Sequence, residues 1–218
     1  MVQPDEIIRS KRKTLAISID AFGKLTVRAP IACSKERIFD FLQQKENWIL
    51  RKKAERAGAG IRLPEESLDG YELLLLGKLC KITVEERATV GYSDGYIALP
   101  SKNTKAKLVR WLKENASRIL SAVTSEKAKE MGVAYTSVSI GSARGRWGSC
   151  SANNEIRYSF RLLYAPKAVI EYVAVHELAH IRHKNHSKAF WQEVARYIPD
   201  WKSRRKWLKA HGALMQIL

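Results

Sequence analysis

The run His176-Glu177-Leu178-Ala179-His180 constrains the fold most, because it lies in an otherwise apolar stretch with helical spacing. The apolar positions of that stretch are Val169, Ile170, Val173, Val175, Leu178 and Ile181. On a helix, histidines four residues apart share one face and can meet one Zn²⁺, and the adjacent glutamate reaches a water on that metal as general base. The alternative is a chance match on a solvated helix. Polar side chains on so apolar a helix favour the zinc site.

A catalytic zinc takes three protein ligands and leaves one position open, so a third ligand is needed. His186 is six residues past His180, and Asn185 before it can stop the helix and turn the chain back toward the metal. Asp200 is twenty residues past His180, but it is better explained as the N-cap of a last helix. His183 would rotate away from the motif if the helix continued. We therefore favour His186 and keep the other two as alternatives.

Hydrophobic patterns indicate the elements before the motif. Alternation in residues 15–19 and 25–29 predicts a hairpin, and helical spacing from Ser34 to about Ala57 predicts an amphipathic helix that Gly58 ends. Short β-prone runs at residues 71–76, 79–84 and 96–99, separated by turn signals, predict further antiparallel sheet. A helix from Ser101 to Gly132 follows.

Strands are predicted again around residues 138–140 and 156–162, and the motif helix begins near Pro166. The fold class is therefore α+β, with two parts. Residues 1–100 form a β-rich, basic N-terminal part with one amphipathic helix. Residues 101–218 form a zinc-bearing hydrolase domain that ends in a cap of C-terminal helices.

Several segments together resemble the YgjP-like metal-dependent hydrolases, which are related to the SprT and Spartan zinc metallopeptidases. These segments are the motif, Asn185-His186-Ser187 with Phe190-Trp191, Arg146-Trp147-Gly148-Ser149-Cys150-Ser151, Arg161-Leu162-Leu163 and Arg204-Arg205-Lys206-Trp207-Leu208. The resemblance implies a mini-gluzincin-like zinc domain that hydrolyses peptide bonds. It implies His176, His180 and His186 as ligands and Glu177 as the base.

The charge balance predicts an anionic substrate or partner. Lysine and arginine number 39 against 22 aspartates and glutamates, a formal net charge of +17. Arg144 and Arg146 are candidates for contact with a substrate or anion near the metal. Arg204, Arg205 and Lys206, interleaved with tryptophans, are candidates for contact with nucleic acid. The alternative for both groups is a solvated basic surface.

Cysteine content predicts a reducing compartment. Cys33, Cys80 and Cys150 are too few and too widely spaced for a disulfide framework, and residues 1–6 lack the pattern of a secretory signal. We therefore expect a cytoplasmic protein, without a membrane span. Cys150 is either a zinc ligand or nucleophile, or a small residue in a glycine-rich turn, which we favour because no other cysteine is near it in the sequence.

The residues predict zinc-dependent hydrolysis, in which Glu177 deprotonates the metal-bound water and returns the proton to the leaving group. Two other functions stay open. One is hydrolysis of a phosphate ester or anhydride such as a nucleoside triphosphate, whose charge suits the arginines and lysines. The other is nucleic-acid binding by a module with a structural metal.

Overall fold

The structure, a computed structural model, describes residues 2–19, 25–50, 67–212, 214 and 218. The chain divides into two compact units, Met1–Arg62 and Leu63–Leu218, and each has its own hydrophobic core. The division expected at residue 100 does not coincide with this boundary. The strands before residue 100 share one core with the helices after it, so they belong to the second unit.

The first unit combines three strands with one helix. Its strands are β1 (Glu6–Ser10), β2 (Ala16–Ile19) and β3 (Leu25–Pro30), in the order β1-β3-β2. The predicted antiparallel pairing of β2 with β3 is confirmed, and β1 adds to β3 in parallel. Helix α1 (Lys35–Gln44) begins where Ser34 Oγ accepts a hydrogen bond from Arg37 N. Residues 46–50 are helical again, and the predicted helix end near Ala57 lies outside the described residues.

The second unit begins with a four-stranded sheet. Its strands are β4 (Glu72–Leu75), β5 (Lys78–Glu85), β6 (Gly91–Ser93) and β7 (Tyr96–Pro100), in the order β4-β5-β7-β6. Both hairpin turns, Leu76-Gly77 and Asp94-Gly95, have positive φ at their two residues, which matches the strand twist. The β4–β5 hairpin is antiparallel as predicted, and β6, which the predicted runs did not include, forms a second antiparallel hairpin with β7. The sheet as a whole is mixed, because β5 pairs with β7 in parallel.

Helix α2 (Thr104–Met131) ends at Gly132, which adopts the left-handed conformation with φ 61° as predicted for a helix C-terminus. A sheet of β8 (Ser137–Gly141), β9 (Gly148–Cys150) and β10 (Glu155–Ser159) packs beside it in the order β8-β10-β9. β9 is therefore an edge strand. The predicted strand at residues 156–162 ends at Ser159, because a 3₁₀ helix, Phe160–Tyr164, begins there.

Three helices complete the unit: α3 (Lys167–Arg182), α4 (Lys188–Tyr197) and α5 (Trp201–Ala210). α3 carries the motif and packs against α2, α4, α5 and β9, which explains why it is apolar on nearly all sides. The α+β class is thus confirmed. Among the described residues, no helix combines the length and hydropathy that crossing a bilayer requires.

Candidate metal centre

Three imidazoles converge at one end of α3. His176 and His180 lie on the helix one turn apart, and His186 lies in the loop that leads to α4. One ligand atom from each of the three lies within 4.8 Å of the others, and the Nε2 atoms of His176 and His186 are 3.0 Å apart. Three imidazole nitrogens around one point are a usual donor set for a catalytic zinc ion.

The chain reverses after α3 and thereby brings His186 to the motif. The helix ends at Arg182, earlier than the expected stop at Asn185, and His183 is its extended C-cap. Asn185 Oδ1 then accepts a hydrogen bond from Ser187 N, and Ser187 Oγ accepts one from Phe190 N at the start of α4. Because α4 begins so soon, the loop is short and its histidine stays close to α3.

The two alternative third ligands have other roles. His183 contributes its carbonyl oxygen, which lies 2.9 Å from His180 Nδ1. Asp200 occupies the N-cap position of α5 as predicted, but its carboxylate binds Arg204, with 2.9 Å between Oδ1 and Nη2. In the part of the chain that the structure describes, neither belongs to the converging group.

Burial favours the neutral form of the two helix histidines, His176 and His180, which is the form that metal binding requires. It lowers the pKa of His176 to about 3, with smaller effects from His180, His186 and Arg205. Burial also lowers the pKa of His180, and the bond to the His183 carbonyl partly opposes this. That bond orients the ring, as outer hydrogen bonds do for metal-binding histidines. Neutral imidazoles with fixed orientation fit a zinc ion.

Glu177 is the carboxylate of the site. It is 6% exposed, and burial raises its pKa to about 8, while the positive charge of Arg146 acts in the opposite direction. Its side chain packs against Gly148 in β9, where an added Cβ would lie 2.7 Å from Glu177 Oε1. A cation bound beside it would favour ionisation and so prepare it to accept a proton.

A cavity of about 590 Å³ opens between α3, the loop after it and the β9 segment. Its lining consists of Gly148, Ser149, Cys150, Ser151, Ala152, His176, Glu177, His180, Lys184 and His186. Lys184, which the sequence analysis did not single out, donates a hydrogen bond to Asn154 Oδ1 at 2.9 Å. Its signal in the sequence was a cation four residues past His180.

Cys150 lines the cavity as a free, half-buried thiol. Its Sγ lies 3.6 Å from the Ser151 carbonyl oxygen, and burial is the main effect that raises its pKa. Within the described residues it is not part of the converging group. A raised pKa opposes formation of the thiolate that a nucleophile or a zinc ligand requires.

The two candidate anion contacts, Arg144 and Arg146, have different surroundings. Arg146 is exposed and its charge reaches Glu177, whereas Arg144 donates to the Leu218 carbonyl oxygen at 3.2 Å. Neither is among the described residues that line the cavity. Arg146 therefore lies within electrostatic reach of the site, whereas Arg144 contacts Leu218.

The three candidate nucleic-acid contacts on α5 also differ. Arg205 and Lys206 are exposed. Arg204 binds Asp200, lies 3.6 Å from a Glu171 carboxylate oxygen and donates to the Ala168 carbonyl oxygen at 2.7 Å. Because its guanidinium joins α5 to α3, the structure favours Arg205 and Lys206 over Arg204 as residues that would contact a polyanion.

The motif helix, the converging imidazoles and the buried carboxylate define a metallopeptidase type of domain. A family model described as YgjP-like, metallopeptidase domain matches residues 13–211. The chain belongs to this family, which implies a divalent metal, and the three converging histidines could hold one.

Two individual proteins are similar to parts of the chain. A UTP pyrophosphatase of Escherichia coli (strain K12) is 36% identical over 59 residues, which are 27% of this chain and 35% of that protein. The match thus spans about a third of the length of that relative. The crystal structure of the metallopeptidase zymogen of Methanocaldococcus jannaschii jannalysin is 19% identical, with a TM-score of 0.37, and covers 41% of this chain and 91% of that one.

Proposed function

We propose that this chain is a zinc-dependent hydrolase in which Glu177 is the general base. The observation that carries the proposal is the convergence of three imidazoles beside a buried carboxylate. His176, His180 and His186 would hold the zinc ion, which lowers the pKa of a bound water toward about 7 and polarises the bond to be cleaved.

Other groups of the protein would carry out proton transfer and orient the ligands. Glu177 accepts a proton from the attacking water and delivers it to the leaving group. Gly148 leaves room for its carboxylate, and Arg146 opposes the effect of burial on its pKa. The hydrogen bond from His180 to the His183 carbonyl keeps the ligating nitrogen pointed at the metal.

A peptide bond is the first candidate substrate. The family model describes a metallopeptidase domain, and the edge strand β9 lines the cavity. An edge strand offers main-chain donors and acceptors that an extended peptide can pair with. Such pairing would lay the peptide alongside the metal.

A phosphoanhydride is the second candidate, and the cations at the site favour it. Lys184 lines the cavity, the charge of Arg146 acts on Glu177, and that of Arg205 acts on His176. Charge-assisted hydrogen bonds from such groups recognise phosphate strongly. The E. coli relative named a UTP pyrophosphatase points to the same class of substrate.

The test compares zinc-loaded wild-type protein with Glu177→Gln on two panels, one of unfolded proteins and peptides and one of nucleoside triphosphates. Gln keeps the shape but removes the base, so we expect retained zinc and a rate about 10²–10⁴-fold lower. Zinc is measured on the same samples. Lys184→Ala should impair nucleotide turnover more than peptide turnover.

Three outcomes would contradict parts of this proposal. An active Glu177→Gln protein would remove Glu177 as the base. Zinc-loaded wild-type protein that turns over neither panel would argue against both substrates. Nucleic-acid binding without turnover, unchanged by a chelator, would support a binding module with a structural metal.

A further inference from the structure

His186 differs from the other two histidines in how its ring is held. His176 and His180 project from the rigid helix α3, whereas His186 is exposed and lies in a loop. Its imidazole stacks with the indole of Trp191, with ring centroids 5.6 Å apart and planes 26° apart. The His186 ring is therefore contacted by a stacked indole, whereas the His180 ring is oriented by a hydrogen bond.

The stack continues into the last helix. Trp191 on α4 also stacks with Trp201 on α5, with centroids 4.3 Å and planes 17° apart. The Arg205 guanidinium lies 5.0 Å from the Trp191 ring centroid. Two helices, neither of which supplies one of the three imidazoles, thus fix the indole that contacts His186.

We propose that Trp191, supported by Trp201, is a positioning residue that holds the His186 imidazole in its ligating orientation. The inference rests on the proposed role of His186 as third ligand. An exposed side chain on a loop loses rotamer freedom when it binds a metal, and prior ordering by a flat partner reduces that cost. A divalent cation held by the imidazole would also draw electron density from its ring, which would strengthen the contact with the face of the indole.

The chain contains a matched control. Trp207 stacks with His211, with centroids 4.0 Å and planes 10° apart, so it forms the same kind of ring pair on α5. His211 is not part of the converging group found among the described residues. Loss of Trp207 removes a comparable tryptophan–histidine contact and leaves the metal centre intact.

The experiment measures zinc affinity by competition with a chromophoric chelator. Loss of groups that orient a ligand lowers metal affinity about 10–100-fold, which is the loss we expect for Trp191→Ala. Trp191→Phe should retain more affinity because it keeps a ring, and Trp201→Ala should show an intermediate loss. Trp207→Ala should bind zinc like the wild type. If Trp191→Ala does not fold, Trp191→Phe and Trp201→Ala must each bind zinc more weakly than Trp207→Ala.

His186→Ala distinguishes failure of this inference from failure of the ligand assignment. We expect it to lose zinc at least as strongly as Trp191→Ala. Wild-type affinity in Trp191→Ala, with loss in His186→Ala, would overturn the inference alone. Wild-type affinity in both would overturn the role of His186 as a ligand, and the inference with it. An equal loss in Trp207→Ala would show a general effect on α5 and would also overturn the inference.

Discussion

At the residue scale, the place of the Glu177 carboxylate depends on its neighbour in β9. A Cβ at Gly148 would lie 2.7 Å from Glu177 Oε1 and 2.8 Å from its Cγ. Real Cβ atoms do not approach that closely, so a side chain there must displace the carboxylate. Glu177 lines the cavity, so a displaced carboxylate has room to move there and would leave its observed position. The observed position of the Glu177 carboxylate therefore requires glycine at position 148.

We predict that Gly148→Ala lowers the hydrolytic rate and leaves zinc binding intact. The displaced carboxylate no longer meets the water, so most of the approximately 10²–10⁴-fold contribution of a general base should be lost. Gly145→Ala is the matched control, since nothing lies within 4 Å of a Cβ there. Rates and zinc content are measured on both. Equal rates for the two variants would contradict this role of Gly148.

The site residues differ in how far the sequence could predict them. His176, Glu177 and His180 follow from helical spacing alone, because the helix places them on one face. His186 follows from its distance and the adjacent turn residues, although the helix stops earlier than expected. Gly148 approaches Glu177 from a distant strand, and no local pattern records such a contact.

At the element scale, the predictable features are those that local signals determine. The β4–β5 hairpin and the turn at Asp94-Gly95 were predicted because both turns contain glycine, and the end of α2 because Gly132 follows it. Strand β6 was not predicted. The parallel pairing of β5 with β7 was not predicted, since alternation shows which face is buried but not which strands are neighbours.

The sheet that carries β9 is joined to α2 by one buried hydrogen bond. Tyr158 on β10 and Thr124 on α2 are 1% and 0% exposed, and their hydroxyl oxygens are 3.0 Å apart. Thr124 also donates to the Leu120 carbonyl oxygen at 2.7 Å. Tyr158 thus packs as a core residue.

We predict that Tyr158→Phe lowers the free energy of unfolding by about 1 kcal/mol, the typical worth of one such bond. This corresponds to a fall in Tm of about 2–4 °C for a chain of this size. Tyr96→Phe is the control, because Tyr96 is 51% exposed. Thermal unfolding measures both. A fall for Tyr96→Phe as large as that for Tyr158→Phe would show that the buried bond contributes nothing specific.

At the scale of the whole molecule, the composition shows an excess of basic residues. It does not show which of them form ion pairs within the protein and which are available to bind a partner. The net charge of +17 predicts attraction to polyanions. Arg204 is only 18% exposed at its side chain and is bound to two carboxylates, whereas Arg205 and Lys206 are exposed. The cations available to bind a polyanion are therefore fewer than the total number of lysines and arginines.

We predict that Arg205→Ala combined with Lys206→Ala weakens binding to a fluorescent oligonucleotide and flattens its salt dependence. Each phosphate contact contributes about −0.7 to −0.9 to the slope of log K against log salt, so the change should reach about two contacts. Arg204→Ala should leave the slope unchanged and lower Tm instead. Weak binding at every salt concentration would remove nucleic acid as a partner.

The division of the chain also belongs to this scale. The change from strand to helical periodicity near residue 101 suggested a boundary there, but the β4–β7 sheet and helix α2 bury their apolar residues in one core. Only tertiary packing decides where a core ends. The metal centre and its supporting helices all lie in the second unit.

The central claim is that His176, His180 and His186 hold one metal ion. Elemental analysis of purified protein, expressed with zinc and freed of loose metal, tests it most directly. We expect about one zinc ion per chain in the wild type and in Asp200→Ala and His183→Ala, because a catalytic site needs only three protein ligands. His186→Ala should lose most of its zinc. Zinc retained in His186→Ala but lost in Asp200→Ala would contradict the account and identify the carboxylate as the third ligand.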